Sequence, residues 1–147
     1  MIKVPQKYNQ KATPNNLGLV VIPQNAPDGL QIWSRWYFDH AVTTVERSQK
    51  EQRRDLNMFL QFMELTEKTD DRPKWTPRLS EAFKTHLKSA LHEDGSRNWS
   101  DRTINRVLTH LKTFAKWVHG LRPFPLGNPM VKIKSLPLTN SLEIERA

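Results

Sequence analysis

Between residues 100 and 120 apolar side chains recur three and four positions apart, as Ile104, Val107, Leu108, Leu111, Ala115 and Val118. Ser100-Asp101 precedes them, and Gly120 and Pro123 follow. This spacing puts all six on one stripe of an α-helix, with a hydroxyl cap marking its start and glycine then proline its stop. Similar punctuation recurs upstream. Thr76-Pro77 pairs a cap with proline at the first helical position, and Leu79, Ala82, Phe83, Leu87 and Ala90 carry that helix toward Gly95. Thr43-Thr44-Val45-Glu46 has the form of a capping box, in which the Thr43 hydroxyl takes an N-terminal amide and Glu46 reaches back. It opens the longest helix, to about Glu67, with Val45, Leu56, Phe59, Leu60 and Met63 inward. Asp28, after Pro27, is the expected cap of a first helix carrying Leu30, Trp33, Tyr37 and Ala41 on one face. A short further turn of helix is expected from Pro129 to Lys134. No segment alternates as a strand requires, so the expected fold is all-α, a compact bundle of about four or five helices over residues 28–126.

The flanks read differently. Residues 1–27 hold Pro5, Pro14, Pro23 and Pro27 and three lysines without an acid, the composition of an extended arm. Its apolar stretch, Leu17-Gly18-Leu19-Val20-Val21-Ile22, is long enough for a strand or a latch on the domain and too short for a core; a tail with no partner is the alternative. Residues 127–147 read as a linker. No apolar run approaches the roughly 20 residues of a membrane helix, and none follows the Lys3 to Lys11 region as in a signal peptide, so the expectation is a cytoplasmic chain with no membrane partner.

Several chemistries drop out. With no cysteine, a disulfide framework, a thiolate nucleophile and a Cys-ligated zinc site are excluded. His40, His86, His92, His110 and His119 form no i, i+4 pair and read as surface or boundary residues, so no metal or cofactor is expected. Asp70-Asp71, beside Arg72 and Lys74, reads as a solvated turn rather than an acid-base pair. Neither a glycine-rich phosphate loop nor a nucleophile elbow is present. Trp33, Trp36, Trp75, Trp99 and Trp117 are expected in the core or at its rim, although Trp117 falls off the buried stripe of its helix.

What remains is charge. The 147 residues carry 23 Lys and Arg against 15 Asp and Glu, a net +8, which makes polyanions the leading partner class. Residues 28–126 hold only 17 of those cations against 13 acids, so placement matters more than total. At about 100° per residue, Arg47, Lys50 and Arg54 lie opposite the apolar stripe of the second helix, with Asn57 and Gln61 in the same row. On the fourth helix Arg102, Asn105, Arg106, Thr109, Thr113 and Lys116 lie opposite its stripe, preceded by Arg97, Asn98 and Ser100 at the entrance. Cations mixed with Asn, Gln and Thr are what a DNA-reading surface needs, for they neutralise phosphates and bond base edges. The entrance at Ser100 adds free N–H groups suited to a phosphate. Any soluble helix turns charge outward, so a helical protein-interaction module without DNA binding, docking a partner near Trp117 and Phe124, is the alternative.

The order of elements adds a resemblance. A long helix through Thr44-Val45-Glu46-Arg47 and Leu56-Asn57-Met58-Phe59-Leu60-Gln61-Phe62 is followed by the Thr76-Pro77 helix. Then come Thr103-Ile104-Asn105-Arg106, Leu111-Lys112-Thr113-Phe114-Ala115-Lys116-Trp117, and finally Asn128-Pro129 with Ile133-Lys134. Over about residues 29–136 this succession resembles the N-terminal, SAM-like core-binding domain of tyrosine recombinases, the phage integrase group. The resemblance implies a domain that clamps one side of duplex DNA with its second and fourth helices, next to other recombinase protomers. DNA recombination or integration would then be carried out by a catalytic domain C-terminal to it, through a tyrosyl-phosphate link. No catalytic residue carries over, because neither Tyr8 in the arm nor Tyr37 on the apolar side of the first helix matches the family nucleophile, and Arg146 precedes the region of the first catalytic arginine. This fragment alone is expected not to be an enzyme. Reversing Arg54 or Arg106 to Glu is expected to weaken DNA binding without unfolding, both being read as outward.

Overall fold

The computed structural model describes residues 28–42 and 45–138. Among them lie four α-helices and no strand: α1 (Leu30–His40), α2 (Glu46–Glu67), α3 (Pro77–Ser89) and α4 (Asp101–Leu121), with a 3-10 turn at Arg72–Lys74. The expectations for the arm, for Thr43 and Thr44, and for residues 139–147 lie outside the described residues. Within the described chain no helix is long and apolar enough to cross a membrane.

The two long helices, α2 and α4, form the central pair, and α1 and α3 pack against both. All six stripe residues of α4 are buried, as are Leu56, Phe59, Leu60 and Met63 of α2. Between them an aromatic chain runs through the molecule. Phe83 meets Phe59 at 5.2 Å and Phe59 meets Trp75 at 4.7 Å. Trp75 stacks on Phe114 at 6.0 Å, and Phe114 meets Tyr37 at 5.1 Å. Tyr37 then contacts Trp117 at 5.4 Å, which reaches Trp33 at 6.0 Å. Such pairs contribute about 0.5–1.5 kcal/mol each beyond the area they bury, so this core is fixed in geometry as well as in volume. Trp117, off the stripe of its own helix, is thereby used in packing.

Helix ends match the sequence where a side chain caps locally and differ where a distant group takes the role. The Ser100 and Thr76 hydroxyls accept the N–H groups of Thr103 and Leu79, both as expected. At α1 the cap is Gly29 and not Asp28. The amides of the first turn are met from 40 residues away: Leu30 N–H donates to the Asp70 carbonyl at 2.8 Å and Gln31 N–H to the Asp70 carboxylate at 2.9 Å. Gly29 allows that approach, since a Cβ there would lie 3.0 Å from Asp70 Oδ1. Asp70 is therefore a helix cap in trans rather than a solvated turn residue. Asp28 instead accepts from Trp33 Nε1 and Arg72 Nε, each at 2.9 Å. Arg72, almost fully buried, also donates Nη1 to the Pro123 carbonyl at 2.8 Å, which ties the start of α1 to the end of α4.

Further expectations differ in the structure. Val45 is the extended N-cap of α2, ahead of its first turn, and is 70% exposed rather than in the core. Helix α3 stops at Ser89, because Ala90 turns extended and its carbonyl accepts Asn98 N–H at 2.8 Å; Ala82, within the helix, is exposed rather than on the apolar face. Gly95, with φ +89°, serves the tip of the resulting turn and not a helix end. Helix α4 runs through Gly120 to Leu121. Residues 128–133 form turns rather than a helix, yet this stretch, read as linker, places Met130 and Ile133 in the core.

Candidate nucleic-acid interface

Helix α2 and the start of α4 diverge at the surface around an open groove of about 840 Å³. One wall is Lys50, Arg53, Arg54, Asn57, Met58 and Gln61 of α2; the other is Asn98, Trp99, Ser100, Thr103 and Arg106. The far wall owes its position to the turn after α3. An antiparallel bridge joins Leu91 to Arg97, and His92 N–H donates to the Ser96 carbonyl at 2.8 Å, so the chain doubles back and delivers residues 98–100 to the groove. The exposed Asp94 carboxyl is held below its ordinary value by the hydrogen bonds it accepts from the Ser96 hydroxyl and amide, which fixes the same turn. Trp99 and Met58, both partly buried against the core, bring apolar surface into a groove whose lining residues include no acid.

The groove unites seven of the residues expected from sequence: Lys50, Arg54, Asn57, Gln61, Asn98, Ser100 and Arg106. It also contains Arg53, Trp99 and Thr103, which the sequence reading left out. Arg53 had no place there because it lies at the edge of the helical stripe; in the fold its guanidinium lies 4.2 Å from the centre of the Phe38 ring. That contact holds an exposed cation in a defined position, in the manner of other cation–π pairs.

Other expected residues fall elsewhere. Arg47, Arg102, Thr109 and Lys116 are exposed but do not line the groove. Arg97 pairs with Asp101 at 2.7 Å across the first turn of α4. Thr113 lines a second recess of about 390 Å³ with Tyr37, Val42, His110 and Trp117. Asn105 is not an outward reader of bases. Its amide donates to the Leu136 carbonyl at 3.0 Å and its oxygen accepts Leu136 N–H at 2.7 Å, so both ends of the side chain are used to hold the tail.

Arg106 requires the largest correction. Its Nε and Nη2 grip both oxygens of Asp55 at 3.0 and 2.9 Å, and Asp55 is fully buried. His110, expected as an ordinary surface or boundary residue, is half-buried and brings Nδ1 to 2.7 Å from Asp55 Oδ2. A carboxylate can only accept, so Nδ1 carries the proton. Burial pushes the Asp55 carboxyl up, but the hydrogen bonds and charges of His110 and Arg106 outweigh it and hold the group below its ordinary value. The same bond to Asp55 raises the Arg106 guanidinium. Arg106 thus stands in the groove wall as a fixed cation, its free nitrogen Nη1 turned to Glu51 at 3.3 Å.

What the groove can do follows from its groups: Lys50, Arg53 and Arg54 neutralise phosphates, Asn57, Gln61 and Asn98 both donate and accept, and Trp99 supplies apolar contact. No family model, curated protein or solved structure matches this chain.

Proposed function

We propose that this domain binds duplex DNA along the groove between α2 and α4, as the DNA-clamping N-terminal half of a site-specific tyrosine recombinase. The observation that carries the binding is the convergence of Lys50, Arg53, Arg54 and Arg106 with Asn57, Gln61 and Asn98 on one concave surface, where four cations outnumber the one bordering acid, Glu51, which stands between Arg54 and Arg106. The order of sequence elements over residues 29–136 supports the recombinase assignment. In this reading strand cleavage and rejoining belong to a C-terminal catalytic domain, and other protomers bind beside this one on the same DNA. The competing reading, an interaction module that docks a partner at Trp117 and Phe124, has less support, because Phe124 is buried and Trp117 packs against Trp33 and Tyr37.

The test is duplex binding of the chain and of a Lys50→Glu, Arg54→Glu variant across a salt series. Both side chains are exposed and the Arg54 pair with Glu51, at 3.8 Å, is long and solvated, so the fold is expected to persist. Wild-type affinity should fall steeply with salt, and the variant should bind weakly with a log-log slope shallower by about 1.8, at 0.9 for each lost phosphate contact. Equal affinity of the two proteins, or binding indifferent to salt, would disprove the proposal.

A further inference from the structure

Glu51 stands where the two arginines of the groove come closest to sharing a partner. One of its oxygens, Oε2, lies 3.3 Å from Arg106 Nη1 and 3.8 Å from Arg54 Nη2. The three side chains differ in how firmly they are held. Arg106 is anchored by two bonds to the buried Asp55, whereas the Glu51 and Arg54 side chains are 41% and 64% exposed. Pairs this open to water contribute little, so Glu51 leaves its place at small cost. An oxygen shared by two guanidinium groups matches, in charge and position, a non-bridging oxygen of a phosphodiester.

We propose that Glu51 is an internal mimic of one backbone phosphate, occupying its place between Arg54 and Arg106 until a DNA duplex displaces it. The inference rests on the duplex-binding reading of the groove and adds to it a competitor built into the chain. A polyanion that also engages Lys50 and Arg53 gains enough contacts to evict the carboxylate. A lone phosphate ion gains one contact and loses to the tethered Glu51, whose local concentration is far higher. The device therefore filters for continuous phosphate backbones.

Titration of a short mixed-sequence duplex onto the full chain, its Glu51→Gln variant and its Glu64→Gln variant tests this. Glu64 is an exposed acid on the same helix as Glu51, more than three turns further along it, and controls for simple loss of one negative charge. Glu51→Gln should tighten binding about three- to tenfold and steepen the log-log salt slope by about 0.9, one additional phosphate contact, while Glu64→Gln changes affinity less than about twofold. If wild-type chain binds the duplex and Glu51→Gln binds no more tightly, or Glu64→Gln gains as much, the mimic is refuted and the groove stands. If neither wild type nor Glu51→Gln binds duplex at about 50 mM salt, the duplex reading itself falls, and this inference with it.

Discussion

Replacing Asp55 with Ala is the most informative perturbation of the fold. The carboxylate is fully buried and accepts three charge-assisted bonds, from Arg106 Nε and Nη2 at 3.0 and 2.9 Å and from His110 Nδ1 at 2.7 Å. Breaking a buried pair by deleting one partner typically costs about 3–5 kcal/mol. The Arg106 side chain is 31% exposed and keeps Glu51 as a neighbour, so part of its charge is recovered by water and the lower end applies, about 3 kcal/mol. For a domain of this size that lowers Tm by about 12–24 °C. Urea denaturation followed by tryptophan fluorescence reads it directly, because Trp33, Trp36 and Trp75 are all fully buried in the wild type. Asp55→Asn keeps one acceptor oxygen, turns the other into a donor facing Arg106 or His110, and loses the charge, so it is expected to recover only part of the loss. The folded-state carboxyl lies below its ordinary 3.8, so its contribution is complete above that pH and lost as pH falls through the lower folded value. The gap between wild type and Asp55→Asn should accordingly narrow on acidification below about pH 4. A loss under about 1 kcal/mol for Asp55→Ala at neutral pH, or a gap that widens in acid, would refute the reasoning.

Two other substitutions probe separate devices. Arg72→Met leaves the Pro123 carbonyl and one bond of Asp28 unmet and should cost about 2–3 kcal/mol in thermal denaturation; Arg72→Lys should restore less than half, since one ammonium cannot span Asp28 and Pro123 as the guanidinium does. Lys68, the C-cap of α2, has φ +62°, and Lys68→Gly should raise stability by about 0.5 kcal/mol in urea titration; a decrease would mean that the bond from Lys68 Nζ to the Leu65 carbonyl outweighs the relief of strain.

Periodicity made the four helices legible, and the caps at Ser100 and Thr76 were readable because donor and acceptor lie within three residues of each other. Partners far apart in sequence were not. Asp28 looks like a local cap until Arg72 arrives from 44 positions away, and Asp70 looks like loop until it meets Gln31. The same limit explains Arg106. A helical wheel places it near the outward centre of α4, but a long side chain on that flank reaches across to α2, and the wheel holds no information about Asp55 on the neighbouring helix. Asp55 itself sits at the margin of the α2 stripe, where angle does not separate a buried acid from a surface one. Arg106→Glu, harmless on the outward reading, would instead set a second carboxylate against Asp55. Of the groove, Lys50, Arg54 and Asn57 were legible as one row on one helix; Arg53 and Trp99 entered through tertiary packing against Phe38 and the core.

The anchored tail has a mechanical consequence. Because Met130 and Ile133 are buried, Lys84 Nζ donates to the Lys134 carbonyl at 2.6 Å, and Leu136 is bonded twice to Asn105, the chain departs from the flank of α4 at a fixed point and heading. The fixed part of the chain thus reaches to Leu136, about ten residues beyond the 126 at which the sequence pattern ends the domain. Whatever the chain carries beyond that point starts from a fixed place beside α4, and its effective concentration at that face is higher than if the exit point itself were free to move.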